Sequence, residues 1–478
     1  MSRIPSAETG AEAAVRRPDG SRVSWLPLVA CCLGTFLLLL FTTIVTVALP
    51  RIGADLHAGF GAQQWIIDVY TLALAGLLLG AGSLSDVLGG RRVYTVGLVA
   101  FGLATLACGL ANTPLMLIAG RAVQGLAGAA MFATILPLIA LTYTGRARAT
   151  AFAVWGAVAG AASAVGTVGG GVLSEHLGWR STFLAALPLC ALALILAVTS
   201  LPDMPSTPVR IDWPGIVTVS VAVTSLAYTV IAGGDSGWTA PGTLLGLAIA
   251  VAAATGFALA ERVGAHPILP PALFGTRAFV GVLLAAFAYY FAAFGALPDI
   301  STWLQTGLRT SSSATSLVLT VQLAVFVVVS GLVSGRLHGL PGSWTLGGGT
   351  VAVGLGCLSG LALHLGAAWP ALLPFLVVTG AGAGVVSPVL PAVATASVPP
   401  SHAGTAGAAA NSARQLGLAL GVATCGTVFH SFRGTVTGVT GALVVCGVLA
   451  VVCGALAARL LRPVRDLTLP TAPSRDGR

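Results

Sequence analysis

Lysine is missing altogether: all 23 basic residues among the 478 are arginines. A Walker-type phosphate loop needs its lysine, and so does a retinal Schiff base. An ATP-driven pump in a single chain and a rhodopsin are therefore excluded. Charge is also scarce, at 8% of residues with only 14 acidic groups, against 56% hydrophobic residues and a mean hydropathy of +0.95. A soluble domain of this size does not have that composition. Histidine is sparse, and His364 near one span end forms no cluster, so a membrane-embedded enzyme is not indicated and neither a metal nor a cofactor is expected. The eight cysteines (Cys31, Cys32, Cys108, Cys190, Cys357, Cys425, Cys446 and Cys453) all fall in apolar segments, which argues against a disulfide framework or a zinc site. Both tails as they stand are short and polar, which disfavours a sensor or receptor.

What is present is a succession of long apolar runs. A membrane-spanning helix needs roughly 20 apolar residues at about 1.5 Å per residue. Fourteen runs qualify, near 25–49, 63–84, 93–111, 114–137, 149–172, 181–201, 213–233, 242–261, 279–304, 313–335, 345–365, 370–396, 404–429 and 438–461. The expected fold is an all-α membrane protein of fourteen transmembrane helices. The first run follows arginines as a signal peptide does, but it is too long and has no small-residue cleavage site, so it is expected to stay.

Short cytoplasmic segments retain arginine. With the N-terminus inside, Arg16, Arg17, Arg22, Arg91, Arg92, Arg146, Arg148, Arg262, Arg277, Arg336, Arg459, Arg462 and Arg465 fall on the cytoplasmic side, and only Arg51, Arg180, Arg309 and Arg433 fall outside. Both termini are expected in the cytoplasm of a multi-pass cell-membrane protein. The net charge of +9 then reflects topology and anionic headgroups, with no nucleic-acid partner.

A weak repeat divides the chain. GSLSDVLGGRR, Gly82 to Arg92, follows the second span as a cytoplasmic elbow, and GLVSGRLHG, Gly331 to Gly339, follows the tenth. Such repeats belong to transporters whose halves rock about a central site. The expected layout is a cytoplasmic tail over 1–24, a six-helix bundle over 25–201, two inserted helices over 202–278, a second six-helix bundle over 279–461 and a tail over 462–478. Gly380, Gly382 and Gly384 lie inside an apolar span with no strand before them, so they read as helix packing and not as a dinucleotide loop.

These residues resemble a known family. TTIVTVALP (Thr42 to Pro50), QQWIIDVYTLALAGLLLGAGSLSD, LIAGRAVQGLAGAA (Leu117 to Ala130), GWRSTFLAALP (Gly178 to Pro188) and GAAANSARQLGLALGVA (Gly407 to Ala423) are similar to motifs of the major facilitator superfamily, in its fourteen-span drug:proton antiporter group. The resemblance implies the major facilitator fold, two six-helix halves plus two inserted helices, and export of amphipathic drugs or natural products in exchange for protons. In the family the loop after span two stabilises one conformation, which makes Gly82, Asp86, Gly89, Arg91 and Arg92 a candidate latch. The span-five motif marks Gly156, Gly160, Gly166 and Gly170 as a candidate packing hinge. The chain departs from the pattern where Phe41 stands for the usual acid, Thr46 for an asparagine nearby, and Thr167 for a proline after Gly166. A facilitator without proton coupling is the alternative.

Asp68 is the remaining candidate carboxylate for proton coupling, on a helical face with Gln64, Trp65 and Thr71. Arg121 enters its span from the same side to a similar depth. An ion pair of Asp68 with Arg121, next to Gln124, is therefore expected as the coupling switch. Candidate cavity residues are Trp65, Thr71, Trp155, Tyr290, Phe294, Asp299, Gln305, Gln322, Asn411 and Arg414, an aromatic and amide set suited to a bulky amphipathic cargo. Asp299, beside Pro298, is expected at a wet span end. Expected partners are that cargo, protons and the bilayer, with the chain a monomer. A fluorescent-protein fusion at either terminus should fluoresce and an alkaline-phosphatase fusion there should be inactive; the reverse would invert the topology.

Overall fold

The computed structural model describes residues 24–203, 212–264, 267, 269–337, 340–363, 368–399 and 402–462. The two tails thus lie almost wholly outside the described residues. The first part of the chain forms α1 (Leu26–Asp55), α2 (Phe60–Leu88), α3 (Gly90–Gly109), α4 (Pro114–Thr142), α5 (Gly145–His176), α6 (Arg180–Leu184) and α7 (Leu187–Ser200). Then come α8 (Trp213–Ser236) and α9 (Pro241–Val263). The last part forms α10 (Arg277–Phe294), α11 (Leu297–Thr306), α12 (Ser312–Leu337), α13 (Gly349–Leu358), α14 (Leu373–Ala396), α15 (Ala403–Ser431) and α16 (Val436–Leu460). Helix starts follow local chemistry. Thr113 accepts from the Met116 amide at 3.2 Å ahead of Pro114, and Asp212 accepts from the Gly215 amide at 3.0 Å ahead of Pro214.

Twelve helical stretches are long and apolar enough to cross a membrane. The helices α2 and α15 have the length, 29 residues each, but are not among the twelve. The count covers the described residues alone, which leave out part of the apolar second half of α2, and alanine, glycine and polar residues dilute the first half of α15.

The helices pack in two groups with the same pattern. α1 lies on α5 and α7, α2 on α4, and α3 on α4 and α7. α10 correspondingly lies on α15 and α16, α12 on α14, and α13 on α14 and α16. Each group has its own apolar core. The backbone repeats as well: His57, between α1 and α2, has φ 50°, and Arg309, between α11 and α12, has φ 53°. α8 packs on α9, α2 and α15, at the seam between the groups.

Close approach depends on glycine. A Cβ on Gly166 would lie 2.8 Å from the Leu40 carbonyl oxygen, and one on Gly170 would lie 2.6 Å from that of Ile44, so α5 rides against the α1 backbone. In the second group a Cβ on Gly417 would lie 2.9 Å from the Phe287 carbonyl carbon, and one on Gly421 2.7 Å from the Phe291 oxygen. Gly382 and Gly384 likewise sit against the carbonyls of Gly349 and Phe326 at 2.8 and 2.9 Å.

Three expectations need correction. The elbow after the second span is not a loop: α2 runs on to Leu88, Gly89 alone turns with φ 88°, and α3 begins at Gly90, because no helix breaker stands just before Gly89. The ninth span does not end at Asp299. It breaks after Phe294, where Gly295 packs on Gly421, and Pro298 starts a fresh helix that carries the span to Thr306. Finally, α2 starts earlier than expected, at Phe60, so Asp68 sits eight residues in, about 12 Å along the axis. The second copy of the repeat, Gly331 to Gly339, lies partly outside the described residues.

Adding one methyl at a contact point overpacks the α1–α5 seam. Gly170→Ala should cost about 1–3 kcal/mol. Gly156→Ala, where a Cβ would meet nothing within 4 Å, should be neutral or slightly stabilising. Thermal unfolding in detergent, followed by a thiol-reactive dye on the buried cysteines, checks both.

Candidate functional site

The α2 helix presents two polar faces. Ile66, Tyr70 and Ala73 fall on one stripe, toward α4; Gln64, Asp68 and Thr71 fall on the other, about 200° away. On the α4 side, Arg121 is 1% exposed and donates from Nε to the Ile66 carbonyl at 3.1 Å and from Nη1 to Gln124 Oε1 at 2.7 Å. Gln124 Nε2 donates to Thr105 Oγ1 at 2.8 Å, and the guanidinium lies 4.2 Å from the centre of the Tyr70 ring. Tyr70 in turn donates to the Leu38 carbonyl at 2.8 Å. This chain of contacts ties α1, α2, α3 and α4 together.

The expected Asp68–Arg121 ion pair is absent. Equal depth put the two residues at one level, but the helical phase of α2 points them to opposite sides. Asp68 is 0% exposed, and neither carboxyl oxygen has a hydrogen-bond partner among the described residues. Its stripe faces α15, on which α2 packs: a Cβ on Gly426 would lie 2.5 Å from Gln64 Cδ. Asp299 is buried as well, with Oδ2 unpartnered, instead of wet. Gln64 and Asp299 both line a pocket of about 310 Å³, together with Phe60, Thr302 and His430.

The candidate cavity residues divide. Tyr290 and Phe294 pack against both apolar cores and meet edge to face, ring centroids 5.0 Å apart. Arg414 donates to the Tyr290 hydroxyl, lies 4.4 Å from its ring centre, and leaves Nε unpartnered. Trp155 Nε1 donates to Thr35 Oγ1 at 2.7 Å. Thr71 is buried and Asn411 half-buried. Two others have structural partners. Gln322 donates to the Ala293 carbonyl at 2.6 Å, joining α12 to α10, and Trp65 lies against Tyr228 of α8, ring centroids 6.4 Å apart.

Gln305 belongs to a network that the sequence did not suggest. It donates to the Val47 carbonyl at 3.0 Å and accepts from Ser312 at 2.9 Å. Arg51 donates to Ser312 Oγ at 3.1 Å and to the Ser174 carbonyl at 2.9 Å, while Glu175 accepts from the Ser313 amide at 2.7 Å. These contacts join the two groups where α1 and α5 end and α12 begins. Nearby, Phe60 stacks on His430 at 4.2 Å. Toward the other end, Gly156, Gly331, Gly404 and Gly407, on α5, α12 and α15, have no atom within 4 Å of a Cβ position.

Of the candidate latch, Arg91 bonds Asp203 at 2.9 Å and the Val198 carbonyl at 2.5 Å, so it clasps α3 to the end of α7 within one group; Arg92 is exposed. Of Gly82, Asp86 and Gly160 only the helical backbone, in α2 and α5, is described. Two of the departures from the family pattern, Phe41 and Thr167, are built in. Phe41 packs between Phe101 and Phe183, each 5.6 Å away, and Thr167 donates to the Ser163 carbonyl at 3.0 Å inside an unbroken α5.

The family model of the Major Facilitator Superfamily matches residues 31–284 and 282–477, and the chain belongs to that superfamily. It is 36% identical over 440 residues to the puromycin resistance protein of Streptomyces alboniger, covering 90% of this chain and 86% of that one. It is 32% identical to the methylenomycin A resistance protein of Streptomyces coelicolor, covering 98% and 100%. Against the tetracenomycin C resistance and export protein of Streptomyces glaucescens it is 33% identical, covering 86% and 77%. The crystal structure of the peptide transporter POT in complex with sulfate shares the fold, with a TM-score of 0.68 at 14% identity over 94% of this chain and 98% of that one.

Removing a partner from the satisfied network strands buried groups, whereas neutralising an unpartnered carboxylate does not. Gln124→Leu should lower stability by about 1–3 kcal/mol, and Asp68→Asn should leave the melting temperature unchanged or higher; detergent melts of the two variants separate the roles.

Proposed function

We propose that this chain exports an amphipathic antibiotic or related natural product across the cell membrane by alternating access, in exchange for protons. The observation that carries the reading is Asp68: a carboxylate with no exposure and no partner among the described residues, inside a superfamily transporter whose relatives are named for resistance to puromycin and methylenomycin A and for export of tetracenomycin C. A charge held there costs about 2.5–3.5 kcal/mol or more at the bilayer centre, so it marks a functional group.

In this reading α2 and α15 also cross the bilayer, giving fourteen spans, with both termini in the cytoplasm. The two helix groups are the rocking halves, and α8 and α9 are an inserted pair. The Arg51–Ser312–Gln305 network then closes the outer end. Cargo rests on Tyr290 and Phe294, where both cores meet, and on the unpartnered Arg414 Nε, which suits a carbonyl or anionic group. Arg121 and Gln124 position α2 for this role and do not pair with the carboxylate. The membrane potential supplies about 2.3 kcal/mol per charge per 100 mV.

A second reading, facilitated transport without protons, is favoured by Phe41, which buries an aromatic ring at the usual first-span acid position. Proteoliposomes with an internal pH-sensitive dye separate the two. Puromycin and other amphipathic antibiotics should trigger proton movement in the wild type, falling to the level of empty vesicles in Asp68→Asn. Drug flux with no proton movement in either protein would establish the facilitator.

A further inference from the structure

We infer that the pocket of about 310 Å³ at the end where α1 stops and α2 begins is a binding site for a small organic ammonium ion, and that its occupant holds the two helix groups together at that end. Such binding does not depend on antiport and is measurable whether or not protons are exchanged.

Both groups wall this pocket. Gly59, Phe60 and Gln64 come from the α1–α2 turn and α2, and Asp299, Phe429 and His430 come from α11 and α15. Two of these side chains are buried and leave an acceptor without a donor among the described residues. They are Asp299, 4% exposed, at Oδ2, and Gln64, 4% exposed, at Oε1. An acceptor taken out of water unpaired is costly, so each oxygen calls for a donor from an occupant.

The neighbouring donors are engaged elsewhere. Thr302 donates to the Pro298 carbonyl at 2.9 Å, and Gln63 donates to the Ala58 carbonyl at 2.8 Å. Arg51 is spent on Ser312 and on the Ser174 and Glu175 carbonyls, and the His430 ring stacks on Phe60. The ion pairs among the described residues, Arg91–Asp203 and Arg180–Asp55, do not involve Asp299. A buried carboxylate without a counter-ion favours a cation and rejects an anion. A bare metal ion would want more ligands, and the described residues contain no group of three or more His, Cys, Asp and Glu side chains that could hold one. An ammonium group carries several N–H donors on one nitrogen and can reach both oxygens. Phe60 and Phe429 give the attached carbon skeleton an aromatic wall. Ligand pockets run from roughly 300 to 1,000 Å³, so this one takes a compact amine. A primary ammonium reaches this end either as a free amine or as a lipid headgroup.

The effect on closure follows from the walls. An occupant that touches both groups keeps all of its contacts only while they are together, so it stabilises that arrangement by its differential affinity. The contacts of Arg51, Gln305 and Ser312 join the groups at the same end, and Gln305 lies one turn along α11 from Thr302 of the pocket. The occupant thus adds to a closure that the protein already makes.

The test is fluorine NMR of para-fluorophenethylamine with the purified full chain, compared with the neutral para-fluorophenethyl alcohol. The amine should bind about tenfold tighter than the alcohol or better, and Asp299→Asn should remove that preference. Gly59→Leu should block both probes: Gly59 has extended backbone, φ −66° and ψ 173°, and a Cβ there meets nothing within 4 Å, so the leucine fills the pocket and leaves the carboxyl alone. It also serves if Asp299→Asn fails to fold. Equal binding of amine and alcohol to the wild type, or an amine preference that survives either substitution, would overturn the site. Saturating amine should shift spin-label distances between the α1–α2 and α11–α12 turns toward the short population in the wild type and not in Gly59→Leu; binding without that shift would overturn the effect on closure. In nanodiscs, displacement of the probe by added phosphatidylethanolamine would support the site with a lipid headgroup as its source of ammonium, and retention would support it with a free amine.

Discussion

Lipid offers no hydrogen bonds, so every polar group taken into the bilayer must find its partner inside the protein. Most of this structure obeys that constraint visibly. Helix hydroxyls such as those of Thr105, Thr134 and Thr379 donate to carbonyls of the preceding turn, and Arg121 spends its donors on a carbonyl and an amide. Against that background the oxygens of Gln64, Asp68 and Asp299 that have no partner among the described residues are informative: Gln64 and Asp68 lie on α2 at the seam where it packs on α15 of the second helix group, and Asp299 lines a pocket with Gln64. The same seam has to open if the halves rock. A polar site that is incomplete in one conformation is what a bistable element requires.

Glycine makes the rest of the molecule rigid enough for that seam to matter. Where Gly166 and Gly170 bring α5 onto α1, and Gly417 and Gly421 bring α15 onto α10, backbones approach too closely for any side chain to intervene. The groups also meet directly, α2 on α15 and α5 on α12, where a Cβ on Gly171 would lie 2.7 Å from the Ser312 carbonyl oxygen, beside the polar contacts around Arg51, Gln305 and Ser312. Repetition of the packing pattern in both groups means that the bodies are built alike, as an internal repeat demands.

The all-helical membrane fold was legible because hydropathy and arginine placement are one-dimensional signals that need no tertiary information. Site residues were legible as types and not as partners. Asp68 stands out in sequence as a carboxylate in an apolar run, yet its neighbour was misassigned to Arg121, since depth along a helix is countable from the sequence while the azimuth of each helix is set by packing. Trp65 meets Tyr228 of the inserted α8, a contact that likewise depends on packing. Asp299 was placed at a wet span end because Pro298 looks like a terminator, when it instead opens the second half of a broken span. The Arg51 network joins residues 261 positions apart and had no local signature. Arg51 carried one usable hint: it directly follows the first-span motif that ends at Pro50.

The central claim is that two rigid halves part at the end closed by Arg51 and Ser312 and that protons govern this parting. Pulsed spin-label distances between the α1–α2 turn and the α11–α12 turn, taken in lipid nanodiscs at acid and alkaline pH, address it directly. The account predicts a short distance at acid pH that lengthens at alkaline pH, while a label pair at the opposite end moves the other way. Distances that stay the same at both ends across that range would contradict it.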